Sequence, residues 1–336
     1  MISSVAELEE LLSRPSDADR EALAALSGDL LILGVGGKMG PTLALRARRA
    51  APPSVRILAA ARFSEPGLRE QLEQAGIETF KADLLDPAQL AALPDAPNVL
   101  CMFGRKFGST GDPTLTWAMN VYAPGLVCER YKSSRIVAFS SGNVYGYSHV
   151  ARGGSVESDE CFPVGEYAWT GLGRERIYDY HSRRNNTPTA LLRLNYAIDL
   201  RYGVLLDIGT KVYERQPVDL AMGAANVIWQ GDANSVALRS FPHCTAPALV
   251  LNLTGPETLS VRRIAETIGR HLGIQPEFTG SESTDALLNN AQHCHRLFGY
   301  PTVTPDEMME WTARWIAHGG ATLNKPTHFE ARDGKF

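Results

Sequence analysis

The stretch Leu30-Leu31-Ile32-Leu33-Gly34-Val35-Gly36-Gly37-Lys38-Met39-Gly40 decides the fold of this chain. Its four leading apolar residues predict a short buried strand, and the sequence LALRARRA after the glycines has helical spacing. Glycines at 34, 37 and 40 give a turn whose backbone amides can approach a pyrophosphate, which the N-terminus of the following helix also attracts. We therefore predict a dinucleotide-binding turn whose contacts are Gly34, Gly36, Gly37, Lys38, Met39 and Gly40.

The same alternation of strand and helix recurs along the chain. Stretches with helical spacing, such as 67–75 and 115–131, separate short apolar runs that predict strands at 55–60, 78–80, 98–102, 135–139 and 190–194. This alternation predicts βαβ units, so we expect an α/β fold: a Rossmann-type doubly wound parallel sheet with a smaller C-terminal substrate lobe. It also favours a bound dinucleotide over the alternative of a tight turn without a ligand.

Four segments are predicted. Residues 1–27 form an N-terminal helical extension, in which Ser4 and Glu7 can form a capping box. Residues 28–200 form the dinucleotide-binding Rossmann domain. Residues 201–323 form mainly the substrate-binding lobe, with some segments returning to the Rossmann domain, and include helices capped by Ser260 and Thr304. Residues 324–336 form a polar tail, which is either docked or loose.

Composition and charge exclude several classes of protein. The 336 residues are 44% apolar and 21% charged, which suits a globular enzyme and excludes a disordered or fibrous chain. There are 33 basic and 37 acidic residues without a long run of either sign, so we expect neither a nucleic-acid nor a membrane surface. The start lacks a signal-peptide pattern and no window is apolar enough to span a membrane, so we expect a cytoplasmic protein.

The cysteines and histidines predict neither disulfides nor a metal site. The five cysteines are widely spread and form no CxxC pair, which favours reduced thiols. The tightest metal-like cluster is His293-Cys294-His295, and on a helix these side chains point in three directions. We therefore expect no bound metal.

Two positions bear on the adenosine half of the cofactor. The end of the second strand normally carries a carboxylate for the ribose of NAD or a cation for the 2′-phosphate of NADP. Residues 57–64 contain no acid and one cation, Arg62, so NADP is favoured over NAD; the alternative for Arg62 is an ordinary solvated cation. After the third strand, Asp83-Leu84 predict a contact with adenine, although an aspartate there is also a common helix cap.

Three motifs resemble those of the extended short-chain dehydrogenases/reductases, the NAD-dependent epimerase/dehydratase family. They are the glycine turn, Asp83-Leu84, and the SSxxVYG sequence that residues 140–146 reproduce in full. The likeness continues into LNLTG at residues 251–255 and runs from about residue 28 to residue 317. The resemblance implies the family's Rossmann fold and its nicotinamide chemistry.

In this family a serine and the tyrosine of a YxxxK motif transfer protons while the nicotinamide exchanges hydride with a carbon that bears oxygen. The resemblance places Ser141 as the residue that polarises this oxygen, Tyr167 as the acid/base, and Asn143 beside them as a third catalytic residue. Gly171 stands at the position of the family lysine, which binds the nicotinamide ribose and helps a phenol with a pKa near 10 to act at neutral pH. The departure indicates either close approach of a cofactor, a substrate or a neighbouring helix, or drift after lost catalysis.

If the protein is catalytically active, a cation other than the family lysine must activate Tyr167. Lys106 is the first candidate, because its loop leaves the fourth strand beside the expected nicotinamide ribose. In the same loop Gly104 is expected to contact the cofactor. Arg105 and Lys106 are expected to meet an anionic substrate group or the cofactor, the alternative being a solvated basic loop.

Two asparagines complete the predicted site. Asn120 resembles a family asparagine and is expected at the substrate, and Asn195, after the sixth strand, is expected to contact the cofactor or the substrate. No arginine precedes residues 227–233, where nucleotide-sugar enzymes often bind a diphosphate. This absence disfavours a nucleotide-diphosphate sugar as the substrate.

Together these features predict an NAD(P)-dependent oxidoreductase, epimerase or dehydratase acting on a carbohydrate-like hydroxyl or ketone. Two alternatives stay open: a degenerate member that binds NAD(P) as a sensor or scaffold, and a non-redox isomerase or lyase with a structural cofactor. The expected partner is a small molecule. The resemblance also implies a homodimer formed through the helices at 115–131 and 167–183.

Overall fold

The computed structural model describes residues 2–106, 108–109, 111–325 and 327–334. Its centre is a sheet of parallel strands, β1 to β7, which are Leu30–Leu33, Ile57–Ala61, Glu78–Lys81, Asn98–Cys101, Arg135–Ser141, Thr189–Leu194 and Leu249–Leu253. The strands lie in the order β7-β6-β5-β4-β1-β2-β3. This order reverses between β1 and β4, which is the switch point of a doubly wound sheet. The predicted Rossmann-type fold is confirmed.

Helices cover both faces of this sheet. In the described chain they are α1 Val5–Ser13, α2 Asp17–Ala24, α3 Gly40–Ala50, α4 Leu68–Gln74, α5 Pro87–Ala91, α6 Pro113–Trp117, α7 Ala123–Arg130, α8 Glu166–Asn185, α9 Val204–Tyr213, α10 Gln230–Arg239, α11 Val261–Leu272, α12 Gln292–Phe298 and α13 Pro305–Ala317. A π-helical turn, Ala118–Tyr122, joins α6 to α7. Short 3-10 turns occur at Gly142–Tyr145, Val150–Arg152 and Phe241–His243.

The sheet is buried on both faces, which explains why its strands are continuous apolar runs. In β1, Leu30 and Ile32 pack into the core beneath α3, and the intervening Leu31 and Leu33 pack into the opposite core with residues of α7 and α8. This alternation follows from the two-residue period of a strand. Because the strands are parallel, their carboxyl ends meet at one edge of the sheet, and one core lies on each face of the sheet.

A third core forms the smaller lobe and rests on α9, α11 and α13. Ser260 and Thr304 cap α11 and α13 as predicted, since each side chain accepts from a backbone N–H three residues later. Pairs of two-residue strands complete the lobe: Ala224–Ala225 with Leu259–Ser260, Ala197–Ile198 with Ile228–Trp229, Val218–Asp219 with Phe278–Thr279, and Ser148–His149 with Asp285–Ala286.

The N-terminal extension consists of two helices that dock on α3 and α10. The capping box predicted for Ser4 and Glu7 is only half formed, because the Glu7 carboxylate turns to the Ser3 backbone N–H at 2.6 Å. A complete box instead begins α2 at Ser16, with Asp19 as its partner. Asp19 also pairs with Arg46 of α3 at 2.7 Å, a buried contact that ties the extension to the Rossmann helices.

The described residues of the polar C-terminal segment are docked on the rest of the protein. We call residues 321–325 and 327–334 the C-terminal strap. Its Thr327 donates through both N–H and hydroxyl to the Asp207 carboxylate, and its Arg332 pairs with Asp285 at 2.6 Å. Phe329 is buried in the core of the lobe. The strap therefore lies against α9 and the lobe.

The described residues contain no group of three side chains arranged to hold a metal ion. The five cysteines are free thiols. Within the described ranges no helix is both long enough and apolar enough to cross a membrane.

Candidate active site

Two adjoining cavities open at the switch point of the sheet. The inner cavity, of about 360 Å³, lies between the glycine turn, Ser141, Tyr167 and the strap. The outer cavity, of about 180 Å³, lies beside Arg62 and Asp83. The two form one cleft, because they share a wall made of Gly34, Gly36, Gly37, Met102, Phe103 and Gly104.

The glycine turn fits a bound pyrophosphate. Gly34 has a φ of 85°, and a Cβ there would lie 2.6 Å from the backbone N of Phe103. A Cβ on Gly40 would collide with the Val35 carbonyl. Met39, at the start of α3, makes no side-chain capping bond, so no described side chain satisfies the first amides of that helix. The site therefore has the close backbone approach and the helix N-terminus that bind dinucleotide phosphates.

The outer cavity holds the residues predicted for the adenosine half. Arg62 is exposed in its wall together with Asp83, Leu84 and an acid that the prediction did not include, Glu65. Asp83 does not cap a helix: its carboxylate accepts from the Leu85 N–H at 3.0 Å, and Asp86 caps α5. Arg62 and Glu65 thus present opposite charges to the same cavity.

The inner cavity brings together the three predicted catalytic residues. Ser141 ends β5, and its Oγ accepts from the Asn143 N–H at 3.2 Å. Tyr167 is the second residue of α8 and lines the same cavity as Ser141 and Asn143. Lys38, Lys106 and Asn195 also line it. Residues far apart in the sequence therefore converge where the carboxyl ends of β1, β4, β5 and β6 meet.

Arg105 and Asn120 do not line either cavity, so the geometry gives no support to their predicted substrate contacts. The Arg105 guanidinium folds back onto its own loop and donates to the Gly108 carbonyl. Asn120 is fully buried in the π-helical turn, where its side chain accepts from the Arg105 N–H at 2.7 Å and donates to Thr170 at 2.8 Å. Asn120 therefore fixes the loop after β4 against α8.

A buried polar network lies beneath the cavity floor. The Glu175 carboxylate accepts from Ser140 at 2.5 Å and pairs with Arg193 at 2.7 Å, with both charged side chains almost fully buried. Tyr145 donates to Asn252 at 2.9 Å, and burial raises its pKa to about 12, so this phenol stays neutral. The network fixes β5, β6, β7 and α8 relative to one another, and with them Ser141 and Tyr167.

Two half-buried lysines face the inner cavity. The Lys38 Nζ donates to the Ala197 carbonyl at 2.9 Å and lies 4.2 Å from the centre of the Tyr202 ring. Burial lowers the pKa of Lys38 to about 7; Asp199 opposes this shift, and Lys106 and Arg201 add to it. Burial likewise lowers the pKa of Lys106 to about 8, against an opposing effect of Asp207. Burial thus makes both amines easier to deprotonate than a lysine in water.

Several lining residues were absent from the prediction. They are Arg174, Tyr196, Tyr202, Lys325 and Thr327. Lys325 and Thr327 come from the strap, and nothing in the sequence pattern shows that a polar tail returns to the site. Arg174 could have been found, because it lies seven residues after Tyr167 and therefore on the same face of α8.

The two glycines of α8 have different surroundings. A Cβ on Gly173 would lie 2.9 Å from Val121 Cγ2, so Gly173 allows α8 to pack closely against the π-helical turn. A Cβ on Gly171 would make only an ordinary contact, 3.5 Å from Val144 Cγ1. No described neighbour therefore requires glycine at 171.

Comparison with known proteins agrees with this architecture. The model of the NAD dependent epimerase/dehydratase family matches residues 30–198, half of the chain. No curated protein matches by sequence.

Similar solved structures include a UDP-galactose 4-epimerase, with 22% identity, a TM-score of 0.69, and coverage of 87% of this chain and 99% of the other. Another is the UDP-glucuronic acid 4-epimerase of Bacillus cereus in complex with UDP-glucuronic acid and NAD, with 17% identity, a TM-score of 0.69, and coverage of 86% and 99%. A third is Pal from Bacillus thuringiensis, with 14% identity, a TM-score of 0.72, and coverage of 86% and 99%.

The fold and the cleft define a Rossmann-type protein of the extended short-chain dehydrogenase/reductase class. The chain belongs to the NAD-dependent epimerase/dehydratase family.

Proposed function

We propose that this protein is an NAD(P)-dependent epimerase, dehydratase or reductase acting on a carbohydrate-like hydroxyl or ketone. The observation that carries the proposal is that the glycine turn and the side chains of Ser141, Asn143 and Tyr167 line one cavity. Two of the similar solved structures are named as sugar-nucleotide epimerases, and one of these holds NAD, which supports the same chemistry.

The roles of the residues follow from their positions. When bound, NAD(P) would exchange hydride with the substrate carbon. Tyr167 would take or return the proton of the reacting oxygen, and Ser141 would hydrogen-bond that oxygen. Because the Ser141 Oγ already accepts from the Asn143 N–H, its own proton is directed to another acceptor, and the substrate oxygen is the one that the cavity offers.

The charge of the inner cavity supports a substrate with an anionic group. Lys38, Lys106, Arg174 and Lys325 line it, and none of its described lining residues is an aspartate or glutamate. A carboxylate or phosphate on the substrate would form charge-assisted hydrogen bonds with these cationic side chains. We therefore propose an acidic carbohydrate-like substrate, with Lys106 and Lys325 as its contacts.

Cofactor binding is tested with the variant Gly37→Asp, which adds a charge and a side chain to the turn. We expect calorimetry to detect binding of NAD or NADP by the wild-type protein and none by the variant. Equal binding by both proteins, or no binding by the wild type, would contradict the proposed site.

The preference between cofactors is tested with Arg62→Glu. On the proposal that Arg62 meets a 2′-phosphate, the variant should lose affinity for NADP far more than for NAD. Glu65→Gln is the matched control, because it removes the opposing charge from the same cavity wall. Tighter binding of NAD than of NADP by the wild type would exclude the preference.

Catalysis is tested with Tyr167→Phe on a panel of acidic sugars and sugar phosphates. Absorbance at 340 nm detects net oxidation or reduction, and chromatography of the products detects epimerisation or dehydration. We expect turnover to disappear while the cofactor still binds. The second candidate function is a non-catalytic NAD(P)-binding protein. It is favoured by the observation that Gly171 replaces the family lysine without a packing reason. A wild type that binds NAD(P) but converts no member of a broad panel would support this candidate.

A further inference from the structure

Arg174 of α8 is buried in the wall of the inner cavity, with 7% of its surface exposed. Its Nη2 donates to Asn120 Oδ1 at 2.7 Å, its Nη1 to the Phe139 carbonyl at 3.0 Å, and its Nε to the Asn120 carbonyl at 3.3 Å. All three acceptors are neutral. A guanidinium has five N–H donors in a fixed fork, so further donors remain for a ligand in the cavity.

The charge of Arg174 is not matched by its described neighbours. A buried guanidinium is normally paired with a carboxylate. The adjacent carboxylate, Glu175, pairs with Arg193 instead. On the sheet side Arg174 faces Cys101 and Tyr178, and burial raises the pKa of both groups, which keeps them neutral. The site thus holds a fixed positive charge that no adjoining described side chain neutralises.

The position of Arg174 on the helix directs this charge toward Tyr167. Tyr167, Gly171 and Arg174 follow at spacings of four and three residues, so they share one face of α8. Long helical side chains lean toward the N-terminus of their helix, so the Arg174 side chain leans along this face toward the turn that carries Tyr167. Gly104, which also lines the cavity, passes so close that a Cβ there would collide with Arg174 Nη2.

We infer that Arg174 provides, from the next turn of α8, the positive charge that the family lysine provides from position 171. In this role it donates to the nicotinamide ribose hydroxyls and stabilises the phenolate of Tyr167. Arg174 is then a cofactor-binding residue and a positioning residue for Tyr167. The inference rests on the proposed function, and it names the residue that makes a lysine at 171 unnecessary.

The first experiment measures dinucleotide affinity by fluorescence titration in the purified full-length protein. We expect Arg174→Met to weaken binding of the preferred cofactor by about tenfold or more, the loss typical of a hydrogen bond to a charged group. Adding Gly171→Lys to Arg174→Met should restore most of the affinity. Arg176→Met is the matched control, since Arg176 is an exposed arginine of the same helix.

The second experiment leaves Arg174 in place, so it does not depend on whether Arg174→Met folds. Gly171→Lys in the otherwise wild-type chain should change affinity little, because the charge is already supplied. A gain of about tenfold from this single change would show that the charge is missing from the native site and would overturn the inference.

The third experiment compares pH–rate profiles. Tyr167 shares its cavity with Tyr202, Lys38, Lys106 and Lys325, and the charge of Asp207 acts on both Tyr202 and Lys106. We expect Arg174→Met to move the limb that reports the base to higher pH, and Lys106→Met to leave that limb in place. A shift with Lys106→Met alone would assign the role to Lys106.

These outcomes separate the inference from the proposed function. If the wild type binds dinucleotide and folded Arg174→Met binds it equally well, the inference fails and the proposed function stands. If the wild type binds neither NAD nor NADP, the proposed function itself fails.

Discussion

Lys38 joins the glycine turn to the smaller lobe. The sequence placed it among the contacts of the cofactor, because it lies between two glycines of the turn. Its side chain reaches the Ala197 carbonyl and the Tyr202 ring. Both partners lie about 160 residues away in the chain, roughly half its length, so no local pattern could show this contact. By contrast, Ser141 and Tyr167 could be placed from motifs, since each lies at the end of a regular element.

The lowered pKa of Lys38 predicts a pH-dependent stability. The folded value is about 7 and the unfolded value about 10.4, so between these values the unfolded chain binds more protons. Wild-type stability should therefore rise with pH across this window relative to Lys38→Met. In urea unfolding of the cofactor-free proteins, any advantage of the variant at pH 7 should shrink by pH 10. Lys132→Met, at an exposed lysine, should show no such trend; a constant difference for Lys38→Met would contradict the shift.

The helices around the site show what periodicity can and cannot predict. One helix was predicted at 115–131, but the structure has α6, a π-helical turn and α7, with Pro124 at the start of α7. The extra residue of the turn places Asn120 in the interior, where it bonds to Arg105, Thr170 and Arg174. These partners come from distant segments, and π-helical turns are frequent at functional sites. Helical spacing alone predicts the helix and not this interruption.

The outer faces of these helices predict self-association. Trp117, Tyr122, Trp169 and Tyr180 all lie on α6, the π-helical turn or α8, and each is between 42% and 57% exposed. Large exposed aromatic groups on neighbouring helices are typical of an interface. We expect a dimer in light scattering, as the family resemblance implies. Trp169→Asp should convert it to a monomer, and Tyr300→Asp, at a 70% exposed tyrosine after α12, should not. A monomeric wild type would exclude this interface.

At the scale of the whole molecule, the sequence predicts the Rossmann half of the fold but not the strap that completes the wall of the inner cavity. Each βαβ unit carries its signal locally, in apolar runs, glycines and caps, so the doubly wound parallel sheet could be predicted. The strap has no such pattern, because it is polar and its partners are single side chains spread over the lobe. Even so, it supplies Leu323, Lys325 and Thr327 to the inner cavity. Residues near the C-terminal end of the described chain thus line the same cavity as Gly34 of the glycine turn.

Anchoring of the strap can be tested through Arg332, which lies near its end. Its guanidinium pairs with Asp285, donates to the Ala221 carbonyl and lies 4.4 Å from the centre of the Tyr147 ring, while Tyr147 donates to the Arg332 carbonyl at 2.7 Å. Thr327 holds the strap independently at Asp207, so Arg332→Ala should loosen it without unfolding the lobe.

A partly exposed ion pair with additional hydrogen bonds contributes about 1 kcal/mol, so opening of the strap should increase roughly fivefold. Limited chymotrypsin digestion reports this opening, because Phe329 of the strap is buried in the lobe and cleavage after it follows the population of the open form. We expect Arg332→Ala to lose its C-terminal fragment about fivefold faster than the wild type, and to show a raised KM for the substrate with unchanged affinity for the dinucleotide. Arg296→Ala, at an exposed arginine of α12, is the control. Equal cleavage of all three proteins would mean that Arg332 does not hold the strap closed.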